Sequence, residues 1–202
     1  MLVPLYTGVF DPEAYGIVGL VYAAIALLNV VFTMGMESAY LRYAKDRDNS
    51  ASLFKTLQVF LVGSSVLFVG LLWLLAPNIT PLLGTVSGSD IYLLMLGILF
   101  FDTLAIVPFA ELRFVRKAIT FAVLKTGNVF INLGLNFYLI LGLDYGIEAV
   151  FISNFAASLL TTICIWVVTI QQLKGAWSID FLGMALRFGL PFIPAGITDC
   201  FV

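Results

Sequence analysis

Apolar stretches long enough to cross a bilayer alternate with short polar turns along the whole chain. The first runs from a helix start at Asp11–Pro12–Glu13 to about Met36, and the polar segment ESAYLRYAKDRDNSASLFKT follows it. The second runs from about Phe54 to Ala76 and stops at Pro77; the third runs from Ile91 to about Ala110, with Pro108 bending its end. The fourth covers Phe121–Leu141 and the fifth Ile147–Ile170. QQLKGAWSIDFLGMALRFG is amphipathic and reads as an interfacial segment anchored by Trp177. LPFIPAGITDCFV opens a sixth span, where Pro191 and Pro194 predict a bent or broken helix. Spans of about 20 residues are helical lengths, against the ~10 of a barrel strand. The expected fold is therefore an all-α integral membrane protein, a polytopic bundle of five complete spans and the start of a sixth.

Composition supports this and excludes much else. Of 202 residues, 61% are hydrophobic and 11% charged, with mean hydropathy +1.07, whereas a soluble domain carries about 25% charged residues. No histidine is present, which removes the commonest general base and metal ligand. No nucleophile–base pair, metal-ligand spacing or phosphate-binding glycine loop stands out, so no catalytic residue, metal or organic cofactor is expected, and no nucleic-acid partner. Cys164 and Cys200 fall inside hydrophobic spans and read as packing residues.

Charge sets the orientation. All ten lysines and arginines lie in or beside the turns after the first, third and fifth spans, while Asp11, Glu13, Asp90, Asp144 and Glu148 lie on the other side. The basic side is then cytoplasmic. The amino terminus falls outside, which leads us to expect a helix before Met1, and the chain ends within a span.

Polar residues inside the spans are the candidate chemistry. Lys125, Asn128, Asn132 and Asn136 of the fourth span form a stripe less than a quarter-turn wide at ~100° per residue. Facing lipid, a basic residue at mid-bilayer would cost roughly 2.5–3.5 kcal/mol or more, so the stripe should face helices or a wet cavity. Asp102, central in the third span, is expected beside Lys125 or Asn128, and Asn154 of the fifth span level with Asn132–Asn136. Asp102, Asn128, Asn132, Asn136 and Asn154 make a candidate proton or ion site, although membrane asparagines also serve simply to pack helices. Asn29, Thr33 and Glu37 of the first span are spaced i, i+4, i+8 on one face. Asp199 repeats the Asp102 argument in the last span. Gly16, Gly19, Gly35, Gly127 and Gly134 are expected to let helices approach closely.

Two motifs resemble a known family. PEAYG (Pro12, Glu13, Tyr15, Gly16), a glycine near the helix end (Gly35) and an Ala-x-x-Arg-Tyr exit (Ala39, Arg42, Tyr43) resemble the second helix of polysaccharide flippases of the multidrug/oligosaccharidyl-lipid/polysaccharide exporter superfamily. RFGLPFIPAGI (Arg187–Ile197) resembles the start of their seventh helix, and four complete spans between the motifs fit that order. The resemblance implies a partial amino-terminal lobe over residues 1–184, its first helix missing, and the opening of a second lobe over 185–202. It implies a bacterial or archaeal cytoplasmic-membrane protein that translocates undecaprenyl-pyrophosphate-linked oligosaccharide by alternating access, among membrane lipids and other polysaccharide-assembly proteins. It places Asn29, Thr33, Glu37 and Asp199 towards the substrate cleft and a proton or Na⁺ site near Asp102, Asn132 and Asn154. A pyrophosphate needs a cationic partner, and Lys125 is the candidate among the spans; Pro108, Pro191 and Pro194 are the candidate kinks by their own chemistry. Where a carboxylate would be expected on the fourth span, this chain offers asparagine. The alternative is a multidrug/cation antiporter; a membrane glycosyl polymerase or ligase would need a larger external loop. One lobe alone is expected not to transport.

Overall fold

The computed structural model describes residues 12–44, 47–83, 89–143 and 145–199. Among them there is no strand, and the helices are α1 (Pro12–Thr33), α2 (Met36–Tyr43), α3 (Arg47–Ile79), α4 (Ser89–Phe114), α5 (Ala118–Phe137), α6 (Glu148–Thr169), α7 (Ile179–Gly189) and α8 (Phe192–Asp199). Five segments are long and apolar enough to cross a membrane: Gly16–Tyr43, Ser50–Ile79, Asp90–Phe114, Ala118–Ile140 and Glu148–Lys174. The protein is an all-α multi-pass membrane protein, as the hydropathy pattern predicts.

The boundaries differ in instructive places. The first span is broken: Met34 and Gly35 take left-handed φ values of 45° and 63°, and α2 restarts at Met36. The segment after it, which the sequence reads as a polar connection, is largely helical, because Leu53, Phe54 and Leu57 bury one face. Pro77 sits inside α3 rather than ending it. The expected N-cap Asp11 lies outside the described residues, as does Cys200. Cys164 is exposed on the outer surface, not packed.

α4 is the central helix, lying against α1, α2, α3, α5 and α6. A helix apolar on all sides belongs at the centre of a bundle. Gly97 lets the Phe155 ring of α6 lie against α4 where a β-carbon would collide with it. Pro108 has no N–H to offer Leu104, so that carbonyl is freed inside the helix. Two side chains take it up: Gln58 Nε2 of α3 donates at 3.0 Å and Trp166 Nε1 of α6 at 3.3 Å. The proline thus knits three helices together. Trp166→Phe is expected to cost about 1 kcal/mol. Gln58→Leu should cost less, because Gln58 Oε1 is itself buried and unpaired and leaves with the side chain. Reversible unfolding in mixed micelles measures both.

Two apolar clusters cap the bundle. At the end away from the basic turns, Val18, Val21, Ile91, Ile98, Val150 and Phe151 pack together. At the basic end, Met36, Tyr40, Phe54, Leu57, Val107 and Ala185 do so. α7 packs on this second cluster through the buried Ala185, and Trp177 just before it is exposed. Its approach is secured by α3, whose Ser52 Oγ and Thr56 Oγ1 each accept at 3.1 Å from the otherwise free N–H groups of Ala176 and Ser178.

Candidate functional site

Between the two clusters lies a polar cavity of about 330 Å³. α1 contributes Asn29, α2 Glu37, α4 Asp102 and Arg113, α5 Lys125 and Asn128, and α6 Asn154 with the hydroxyls of Ser158, Thr161 and Thr162. The sequence suggests separate ion and cleft sets; the structure brings members of both into one cavity.

Asp102 lies by Ser158, with Lys125 near enough to act on it electrostatically. Asn128, an expected partner of Asp102, instead donates to Thr161 Oγ1 at 2.9 Å. The Lys125 ammonium lies over the Phe109 ring, 4.3 Å from its centre, a cation–π arrangement. Asn29 Oδ1 is buried on the cavity wall with no hydrogen-bond partner. Glu37 and Arg113, 76 positions apart in the sequence, form an ion pair at the basic end of the cavity.

Asn132 and Asn136 are engaged outside the cavity, in a chain of hydrogen bonds that runs through Asn154 of its wall. Asn136 Nδ2 donates to Asn132 Oδ1 at 2.7 Å, Asn132 Nδ2 to Asn154 Oδ1 at 3.2 Å, and Asn154 Nδ2 to the Tyr22 hydroxyl at 3.3 Å. This chain ties α5 to α6 and α1, and Asn132 and Asn136 do not line the cavity. Asn132→Ala should separate the two roles. It is expected to cost about 1 kcal/mol in an unfolding titration and to leave ligand binding in the cavity unchanged.

Thr33 does not share the cavity with Asn29 and Glu37. Its hydroxyl turns back to the Val30 carbonyl at 3.3 Å, and the break at Met34–Gly35 ends the helical count that would align the three. Pro108 sits buried within α4. Pro191 lies in the turn between α7 and α8, and Pro194 in the first turn of α8. Asp199 ends α8, and its side chain lies outside the described residues. Of the glycines expected to mediate close packing, Gly16, Gly19, Gly127 and Gly134 have open space where a β-carbon would stand, whereas Gly35 is tightly packed.

The sequence reading passed over Ser158, Thr161 and Thr162. A signal was there: with Asn154 they fall at i, i+4, i+7 and i+8 of α6, one face of a helix, opposite the stripe on α5. Nor does the polar pattern single out Glu111, which stands in the charged segment ELRFVRK just after the third span. Glu111 is buried; it accepts from the Tyr40 hydroxyl and, at 2.8 Å, from Gln172 Nε2. No one-dimensional pattern links residues so far apart in the chain.

Chemically, the cavity offers two carboxylates, an ammonium, a guanidinium, amides and hydroxyls, with no soft donor among them. Its oxygen atoms suit water, a proton or a hard monovalent cation. Among the described residues no group of three Asp, Glu, His or Cys gathers to hold a metal ion. Comparison with curated proteins and with solved structures gives no match. A family model described as polysaccharide biosynthesis protein matches residues 9–202. With a match of that extent and five membrane-spanning segments, the chain belongs to the polysaccharide biosynthesis protein family.

Proposed function

We propose that this protein takes part in flipping undecaprenyl-pyrophosphate-linked oligosaccharide from the cytoplasmic to the outer face of the cytoplasmic membrane, by alternating access coupled to a proton or Na⁺. The observation that carries this reading is membership of a polysaccharide biosynthesis family across residues 9–202. The cavity supports it. A mixed-charge pocket in a bundle that shows apolar side chains to lipid is costly to keep, and ion-coupled movement gives a reason to keep it. It lies beyond the apolar cluster at one end and reaches the Glu37–Arg113 pair at the other. With the basic turns cytoplasmic, that pair marks a cytoplasmic mouth. Polysaccharide-assembly proteins of the same membrane are the expected partners.

Asp102 is the group on which coupling would turn. With the gene edited at its own locus, Asp102→Asn is expected to lower surface polysaccharide about tenfold or more, a loss of ~1.4 kcal/mol or more in the transport barrier. Lipid-linked oligosaccharide should accumulate in the inner leaflet at the same time. A gene deletion that leaves surface polysaccharide unchanged would sink the reading. One observation favours a multidrug/cation antiporter instead: the carboxylate-bearing cavity is lined by helices of a single bundle. A deletion that raises sensitivity to cationic drugs without retaining lipid-linked sugar would select it.

A further inference from the structure

Two opposite charges share the cavity without touching. Asp102 and Lys125 both line it, with the Ser158 hydroxyl on the same wall as the carboxylate. Among the described residues neither joins a direct ion pair. The ammonium is held instead over Phe109. A lysine carries its charge on a flexible four-carbon stem, so this one can rest on the ring or swing towards the carboxylate. The cavity already contains the room it would cross. Oxygen atoms surround that room: the Asp102 carboxylate, the partnerless Asn29 Oδ1, and the hydroxyls of Ser158 and Thr161. Hard cations take such ligands. The other ionisable groups on this wall are the Glu37–Arg113 pair of α2 and α4, which neutralise each other; Tyr22 of α1 stands behind it, its hydroxyl accepting from Asn154.

We propose that Lys125 is a tethered competitor for Asp102: its ammonium and a hard monovalent cation occupy the carboxylate in turn. With the ammonium on Asp102, the pocket is neutral and full. With the ammonium parked on Phe109, the carboxylate, Asn29 Oδ1 and Ser158 Oγ accept the cation. Exchange moves no covalent bond and leaves one positive charge beside Asp102 in either state. The proposal rests on the ion-coupled reading above and assigns Lys125 a positioning role, one that a lysine merely reaching for the membrane surface would not have.

The test is equilibrium binding of radiolabelled Na⁺ to the purified protein in detergent, at constant ionic strength. The wild type is expected to bind Na⁺ weakly and saturably. Lys125→Met keeps the stem and removes the charge, and should tighten binding about tenfold or more, the scale of a unit charge removed within several ångströms at an effective dielectric near 20. Asp102→Asn should abolish saturable binding in both backgrounds. Lys117→Met, outside the cavity, should change nothing, and thermal unfolding of each variant verifies that it is folded. Unchanged or weaker affinity in Lys125→Met overturns the proposal, as does the absence of saturable Na⁺ binding in both proteins. Failure of the surface-polysaccharide test would remove the substrate and leave the binding result standing, so the two readings fall separately.

Discussion

Gly189→Ala is expected to destabilise the protein by about 3 kcal/mol, the upper end of what overpacking costs. A β-carbon there would overlap the Met34 carbonyl oxygen, and backbone cannot swing aside as a side chain can. The position matters because two chain breaks meet at it: the left-handed step at Met34–Gly35 between α1 and α2, and the end of α7 before Pro191. From the opposite side, a β-carbon on Gly35 would stand 2.8 Å from the Gly189 carbonyl oxygen and 3.1 Å from Phe192 Cβ. Gly35→Ala adds the strain of a left-handed backbone, of order 1–3 kcal/mol, to that overlap. The double variant should cost less than the sum of the singles, since residues in contact couple. Gly127→Ala, with open space around it, is the control and should remain within about 0.5 kcal/mol of wild type. Denaturation followed by circular dichroism gives all four values. A wild-type midpoint for Gly189→Ala would show that the two breaks do not bear on each other.

Glu111→Leu is expected to cost a similar amount, about 3 kcal/mol, because two hydrogen bonds to a carboxylate are lost and both donors remain buried or nearly so. Tyr40 is fully enclosed, its ring edge-on to Phe54 and Phe114. Its hydroxyl and the Gln172 amide have been brought to Glu111 from α2 and from the 3₁₀ turn after α6, so one carboxylate fastens three segments at the basic end. Glu111→Gln retains an oxygen for Gln172 and an amide that can donate to the tyrosine oxygen, and should cost only about 1 kcal/mol. Combining Tyr40→Phe and Gln172→Leu with Glu111→Leu should recover most of the loss, since replacing a whole buried polar group set by apolar side chains is often close to neutral. If the triple variant is no more stable than Glu111→Leu alone, unpaired donors are not the source of the cost. Arg113, two residues on, pairs with Glu37 on the cavity wall, so loosening Glu111 should disturb that pair as well.

How each segment behaves against lipid is legible in its own residues. Hydropathy is a property of one segment and one solvent, so five spans and their approximate limits could be read without knowing any neighbour. The polar stripe on α5 was legible for the same reason: a lysine and three asparagines on one side of an apolar rod must face something other than lipid. Family membership followed from residues in linear order. What faces the stripe was decided only by the tertiary structure. Asn128, Asn132 and Asn136 share one face, yet Asn128 meets a threonine on the cavity wall, while Asn132 and Asn136 are consumed by each other and by Asn154. Periodicity counts along one helix; a hydrogen bond depends on the depth and rotation of two. The same limit hid the break at Gly35, where packing against Gly189 accompanies a backbone turn that hydropathy cannot register. It hid Glu111 too, since a carboxylate in a charged turn reads as exposed until donors from distant segments are brought to it. Asp102 and Lys125 could be placed near one another from a short turn and a count of depth. That they share a cavity without joining hands depends on where Phe109 and Ser158 stand, and only the packed bundle sets that.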